Sequence, residues 1–203
     1  MDIHIDKRFP LAAPAGQAWA VLADVHAVAA CMPGASITEV IDATHFKGQV
    51  KCKIGPAVMS FAGTIEVLAL DATTRSLRLL GKGADRGGSS ASMDLSARIE
   101  AGEGANTSVL VGQATVSVSG KLAQFGNRLL VPVADAMLDQ FAGNFAAAAA
   151  VQVNAELASA LTSTSTSTST TPSRATTPAR ELNPLGLLWT VVIRWLARLF
   201  GRA

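Results

Sequence analysis

The stretch FKGQVKCKIGPAVMSFAGTIEV, residues 46–67, alternates apolar or small residues with polar ones on either side of a Gly-Pro pair. A period of two is typical of a strand with one buried face, and Gly55-Pro56 is a turn signal. The stretch therefore predicts a β-hairpin over residues 46–54 and 59–67. Similar runs at residues 3–9, 37–41, 76–82, 91–100 and 107–119 bring the prediction to about seven antiparallel strands.

Two helical stretches accompany the strands. A short pair over residues 13–23 and 25–31 lies between the first two strands, and a long helix is predicted over residues 122–161. The long helix carries apolar side chains every four residues, which lays an apolar stripe along one face. Pro132 is expected to kink it. This order predicts an α+β helix-grip fold, in which a curved antiparallel sheet of about seven strands surrounds the long C-terminal helix.

Many residues predicted to face inward are small, and this leaves space between sheet and helix. The small ones are Gly48, Gly63, Ala91, Ala97, Gly112 and Ala114. Small and flexible apolar side chains can line a lipophilic cavity. The cavity is predicted to be lined by Met59, Phe61, Met93, Leu110, Phe125, Leu129, Val133 and Met137. The alternative is that the alanine-rich helix packs tightly on the glycines and nothing binds.

Composition divides the 203 residues into three segments. We predict a ligand-binding domain over residues 1–161, a disordered Ser/Thr/Pro linker over residues 162–184 and an amphipathic helix over residues 185–203. The linker offers no periodic apolar face to bury. Up to Thr171 the chain has 12 Lys/Arg and 14 Asp/Glu, whereas from Pro172 onward it has 5 Arg and 1 Glu. This distribution excludes a chain-wide nucleic-acid binder, which needs cations concentrated on a folded face.

The predicted C-terminal helix has the composition of a membrane anchor. Its arginines share one narrow face, the other faces are apolar, and it contains two of the three tryptophans of the chain. Indole rings lie at headgroup level and arginines meet anionic lipid at a bilayer interface. The predicted anchor residues are Leu188, Trp189, Arg194, Trp195, Arg198, Phe200 and Arg202. A partner's groove and the protein's own body are the alternative docking places.

No catalytic or metal site is predicted. His4, His26 and His45 are scattered without metal-ligand spacing. Residues 81–88 are rich in glycine but lack the spacing of a phosphate loop, so they are predicted to form a hairpin turn. Cys31, beside a Pro-Gly turn, is a minor candidate nucleophile. Two cysteines outside any CxxC pair and an N-terminus without signal-peptide features favour a reducing, cytoplasmic location.

Several short motifs together resemble the CoxG-like family of carbon monoxide dehydrogenase proteins, in the START-like SRPBCC superfamily. They are CMPG at 31–34, GQVKCKIGP at 48–56, FAG at 61–63, GKG at 81–83 and GKLAQFG at 120–126. The resemblance covers roughly residues 1–150 and implies a START-like domain with no catalytic positions to transfer. It also implies an accessory protein that brings a molybdenum hydroxylase of the carbon monoxide dehydrogenase type to the cytoplasmic membrane.

Together, cavity, anchor and resemblance lead us to expect a membrane-tethered accessory protein at the cytoplasmic face of the inner membrane. Its expected partners are the molybdenum hydroxylase, membrane lipid and a lipophilic small molecule, and it is not expected to be an enzyme. The expected ligand is a respiratory quinone, bound without a covalent cofactor.

Two alternatives to this function stay open. In the first, a recruitment adaptor with a filled cavity binds its partner through the turn at residues 32–34 or the lysine row Lys47, Lys51 and Lys53. In the second, a START-like cyclase or hydrolase would need polar groups that converge inside the cavity.

Overall fold

A computed structural model describes residues 1–164 of the protein, with side chains through residue 152. The strands are β1 (Asp2–Leu11), β2 (Ala35–Val40), β3 (His45–Ile54), β4 (Ala57–Asp71), β5 (Ser76–Asp85), β6 (Ser89–Ala101) and β7 (Ser108–Ser119). The helices are α1 (Ala15–Leu22), α2 (Val25–Cys31) and α3 (Asn127–Thr164), and a 3-10 turn (Leu122–Phe125) precedes α3. The predicted α+β helix-grip fold is confirmed.

All seven strands form one antiparallel sheet in the order β1-β7-β6-β5-β4-β3-β2. β1 and β2 therefore lie at opposite edges although they are consecutive strands in the chain. The connection between them contains α1 and α2, and these helices bury Ala18, Val21 and Cys31 in a cluster that also holds the strand residues Leu77 and Ile99. We call this helix-covered side of the sheet the inward face.

The core consists of two hydrophobic clusters at the two ends of the inward face. We call the end with the β3–β4 and β5–β6 hairpins the near end, and the end with the β4–β5 and β6–β7 turns the far end. The far cluster joins Phe145 and Ala149 of α3 to α1, α2 and the strands. The near cluster is formed by Ile54, Met59, Val118, Leu122 and Leu130. Both clusters consist of residues before position 150, so the body has a core of its own.

Three hydrogen bonds to buried or partly buried groups attach the connections to the sheet and to each other. The Ser108 hydroxyl donates to the Ala13 carbonyl over 2.7 Å, and Ser89 Oγ accepts the N–H of Leu122 over 3.0 Å. Asn144 Nδ2 of α3 donates to the Cys31 carbonyl over 2.9 Å, which ties α3 to the end of α2. Each bond satisfies a polar group that burial would otherwise penalise.

The long helix differs from the prediction at its start. Gly126 has a φ of +66° and ends the 3-10 turn, so α3 begins at Asn127 rather than at residue 122. Phe125 therefore does not lie on α3. At its other end α3 reaches Thr164, so residues 162–164, predicted as linker, are helical. Within the described part of the chain, no helix is both long and apolar enough to cross a membrane.

The glycine-rich segment 81–88 also differs from the prediction of a hairpin turn. Residues 81–85 complete β5, and only residues 86–88 lie between β5 and β6. The rest of the predicted linker and the whole predicted anchor, residues 185–203, lie outside the described residues.

Gly63 marks a close approach of β4 to β5. A Cβ atom at this position would lie 1.8 Å from the carbonyl oxygen of Lys82 and 2.6 Å from the Cα of Gly83. At Gly112, on the same face, a Cβ would meet no atom within 4 Å. The pairing of β4 with β5 therefore requires glycine at position 63.

We expect Gly63→Ala to destabilise the protein by about 1–3 kcal/mol, because the new methyl group forces the two strand backbones apart. Gly112→Ala is the matched control and is expected to leave stability unchanged or slightly raised. Urea unfolding followed by circular dichroism measures both. Equal midpoints for the two variants would contradict the close approach.

Candidate ligand site on the inward face

A row of glycines crosses the middle of the inward face. The strand register pairs Gly48 of β3 with Gly63 of β4 and Gly63 with Gly83 of β5, and Ala91 of β6 continues the row. Adjacent strands are about 4.8 Å apart, so roughly 10 Å of the sheet between β3 and β5 carries no side chain. The neighbouring residues Phe61 and Ile65 pack against different clusters, the near and the far one respectively. The row therefore lies between the two clusters.

The predicted lining residues flank this row. Met59 is buried in the near cluster, and Phe61, Phe125, Leu129 and Val133 pack against that cluster. Leu110 is buried in the far cluster, and Met93 packs against it. Met137 is half-buried and, among the described residues, belongs to neither cluster. Their role in ligand binding stays a prediction.

An apolar pocket of about 310 Å³ opens at the far end of the inward face. This volume is at the lower end of the range for small-molecule sites. Strand residues Phe46, Val67, Leu70 and Leu77 form its floor. Residues 23–26, at the junction of α1 and α2, and Ala43, between β2 and β3, complete the lining. None of the predicted lining residues takes part.

Sequence reasoning missed this pocket for an identifiable reason. The alternation in residues 46–67 places Phe46 and Val67 on the inward face. Their meeting with the α1–α2 junction depends on the long connection between the two edge strands, for which the sequence carries no comparable signal. Phe46 lies two residues from Gly48 on the same face of β3, so the pocket and the glycine row are neighbouring features.

The mouth of the pocket combines an apolar rim with one available polar ring. The His26 ring stands edge-on to the Phe46 ring, with centroids 6.0 Å apart. The Asp24 carboxylate is engaged as the N-cap of α2, where it accepts the N–H groups of His26 and Ala27 over 2.8 and 3.3 Å. Leu70 is half exposed at the rim. An apolar pocket with few polar groups is typical of a site for a lipophilic molecule.

The charged groups near the inward face are engaged in structural contacts. Lys7 of β1 forms a 2.9 Å ion pair with Asp135 of α3, and hydrogen bonding to that carboxylate raises the pKa of Lys7. Asp85, at the end of β5, accepts the N–H of Gly87 over 2.6 Å and that of Ser60 over 3.3 Å. No group of three or more His, Cys, Asp or Glu side chains within the described residues is placed to hold a metal ion.

Cys31, the candidate nucleophile, is buried, and this burial raises the pKa of its thiol. Cys52 is half-buried on the inward face, and burial followed by the charge of Asp85 raises its thiol pKa. Because the thiolate is the reactive form, both thiols are held in their unreactive state at neutral pH.

We therefore expect iodoacetamide to alkylate Cys31 and Cys52 much more slowly in the folded protein than in urea at pH 7. Mass spectrometry of a time course gives both rates. Rapid alkylation of Cys31 in the folded protein would restore it as a candidate nucleophile.

The opposite, outer face of the sheet carries a different kind of concavity. It is open, about 750 Å³ in volume, and lined mainly by polar side chains of β1, β5, β6 and β7. Arg78 pairs with Asp94 over 3.0 Å inside it, and Gln113 donates to Asp6 over 2.9 Å. This polar surface does not suit an apolar ligand.

Comparisons with solved structures identify the fold. A conserved protein from Geobacillus kaustophilus is 20% identical, with a TM-score of 0.65 over 73% of this chain and 95% of that chain. The Zhui aromatase/cyclase from a Streptomyces species is 17% identical, with a TM-score of 0.56 over 75% and 96%. A START superfamily protein from Mycobacterium smegmatis is 13% identical, with a TM-score of 0.51 over 71% and 94%. A comparison with curated proteins finds no match.

The family comparison is more specific than the likeness in fold. The three structures share the START-like architecture, and one of them is an aromatase/cyclase, so the fold also occurs in an enzyme. The family profile of the carbon monoxide dehydrogenase G subunit (CoxG) matches residues 8–150, which include the whole sheet from the end of β1 and most of the described part of α3. The chain therefore belongs to the CoxG family of carbon monoxide dehydrogenase.

Proposed function

We propose that this protein is a membrane-tethered carrier of a lipophilic ligand of the quinone class. It would serve a molybdenum hydroxylase of the carbon monoxide dehydrogenase type at the cytoplasmic face of the inner membrane. The observation that carries the proposal is the apolar pocket at the far end, beside a row of glycines between two hydrophobic clusters. The family name supports the choice of partner.

The chemistry of a quinone suits this arrangement. Its ring is flat and apolar, with carbonyl oxygens that accept hydrogen bonds, and its isoprenoid chain needs a continuous apolar surface. Phe46, Val67 and Leu77 offer an apolar floor for the ring, and the His26 ring at the mouth can donate an N–H to a carbonyl oxygen. The glycine row leaves room between the clusters for a chain.

Carriage without catalysis agrees with the polar groups near the inward face. Lys7 and Asp85 are held in an ion pair and in a turn, so neither is free to act as an acid or base on a bound molecule. In this proposal the ligand is bound and released chemically unchanged. Electrons enter and leave it at other proteins.

The ligand is tested by mass spectrometry of the organic extract of protein purified from its native host. We expect a stoichiometric quinone in the full chain and in a form ending at Ser165, which excludes ligand carried by membrane fragments. An empty body in both forms, with the dehydrogenase still recruited to the membrane, would favour the recruitment adaptor.

A substitution connects the quinone to the pocket. Ala43→Trp places a large ring at the pocket lining in an exposed connection, and we expect it to make the quinone content substoichiometric. Ala72→Trp is the matched control, since Ala72 is exposed in the β4–β5 turn at the same end and does not line the pocket. Equal quinone contents in the two variants would place the ligand elsewhere.

The tether is tested by the same truncation. Residues Met1–Ser165 form one compact unit that contains both hydrophobic clusters. We expect the form ending at Ser165 to move from the membrane to the soluble fraction and to keep the cooperative thermal unfolding of a folded domain. A truncated protein that still pellets with membranes would contradict tethering by residues 185–203.

A further inference from the structure

The cations of the body fall into two groups. Lys7, Arg8, Lys47, Arg78 and Arg98 each form an ion pair with a carboxylate. The others have no carboxylate within 4.0 Å among the described residues, and they are Lys51, Lys53, Arg75, Lys82, Arg86, Lys121 and Arg128. Most of this second group lies at the near end of the sheet.

We call Lys51, Lys53, Arg86, Lys121 and Arg128, together with the N-terminal ammonium of Met1, the basic end. The elements that carry these groups are in contact. A Cβ at Gly55 in the β3–β4 hairpin would lie 3.8 Å from Leu129, the neighbour of Arg128. Leu122, the neighbour of Lys121, donates to Ser89 beside the β5–β6 turn over 3.0 Å.

The opposite end has the opposite charge. The connections at the far end carry Asp24, Asp42, Asp71 and Glu103, with Arg75 as a single unpaired cation among the described residues there. At the basic end the carboxylates are Asp2 and Asp85, and both accept hydrogen bonds from neighbouring groups. The residues up to Thr171 have a small net negative charge. The charge at the basic end is therefore a local concentration.

An exposed apolar tip projects from the basic end. Asp85, the last residue of β5, pairs with Phe61, so residues 57–60 of β4 pair with β3 alone and extend about 13 Å past β5. Val58 in this extension is 74% exposed, more than any other large apolar side chain in the described chain. Its direct partner across the hairpin is Lys53, and Lys51 pairs with Ser60.

We propose that the basic end docks on the surface of an anionic bilayer, with Val58 and Pro56 among the headgroups and the lysines on lipid phosphates. A basic patch with a projecting apolar tip gains both from electrostatic attraction to anionic lipid and from shallow burial of the tip. Arg128 lies in the first turn of α3, where the helix dipole disfavours a cation, and an anion there would offset that cost.

An acidic protein is the competing partner, and the composition of the patch argues against it. Protein interfaces are depleted in lysine and enriched in aromatic residues. Three of the five basic side chains here are lysines, and the aromatic residues near the patch, Phe61 and Phe125, are half-buried in the near cluster. Lipid phosphates accept lysine without such a preference.

This contact does not rest on the identity of the ligand or on the tail. It would orient the body, because the apolar pocket lies at the opposite end of the strands. A body held on lipid by its basic end presents the pocket mouth away from the bilayer, toward a soluble partner.

Hydrogen exchange of the full chain tests the proposal, with vesicles of phosphatidylcholine alone or mixed with phosphatidylglycerol. We expect the mixed vesicles to slow amide exchange in residues 54–61, and the neutral vesicles to leave it unchanged. The variant K51Q/K53Q/K121Q should return these amides to their rate in vesicle-free solution. The control R8Q/K47Q/R75Q removes the same charge from other surfaces and should keep the protection. Val58→Ser should weaken it.

Three outcomes would overturn the proposal. The first is unchanged exchange in residues 54–61 with mixed vesicles, whether or not the tail binds them. The second is equal loss of protection in the two triple variants, which would indicate a general effect of net charge. The third is protection by the purified dehydrogenase and by neither kind of vesicle, which would assign the patch to a protein partner. Loss of vesicle binding on truncation at Ser165 reports on the tether separately.

Discussion

The close approach of β4 and β5 at Gly63 is the constraint on which the inward face depends. A side chain at this position would overlap the backbone of Lys82, so the two strands can pair here only through glycine. Gly48 and Gly83 extend the gap to the strands on either side. α3 packs in one cluster through Leu130 and in the other through Phe145, with the row of glycines between the two. Space beneath the helix is thus a consequence of backbone geometry.

The position of the pocket follows from the chain connection that closes the domain. β1 and β2 lie at opposite edges of the sheet, so the segment that joins them has to pass the sheet, and it does so as α1 and α2. Where these helices meet, the junction lies above the far ends of β3, β4 and β5. A START-like fold can carry an enzyme or a binding protein. Here the charged groups near the inward face hold the structure together, which agrees with binding rather than catalysis.

Charge is distributed along the strands in a way that relates the two ends of the domain. The near end has a concentration of unpaired cations around an exposed apolar hairpin tip. The far end has carboxylates in its turns and the apolar pocket. An accessory protein that works between a bilayer and a soluble enzyme needs two distinct surfaces. In this molecule they are separated by the length of the strands, so one does not obstruct the other.

The sequence by itself determined the strand order along the chain, the inward face and the absence of a catalytic motif, because a period of two along a strand is a local property of neighbouring residues. It predicted the seven strands and the family. It missed the start of α3 at Asn127, since the 3-10 turn before Gly126 shares the apolar spacing of a helix. Only the tertiary structure decided that the predicted lining residues divide between two clusters, that the pocket lies beside His26, and that the unpaired cations meet at one end. Those outcomes depend on which distant segments come together, and that is set by the packing of the whole chain.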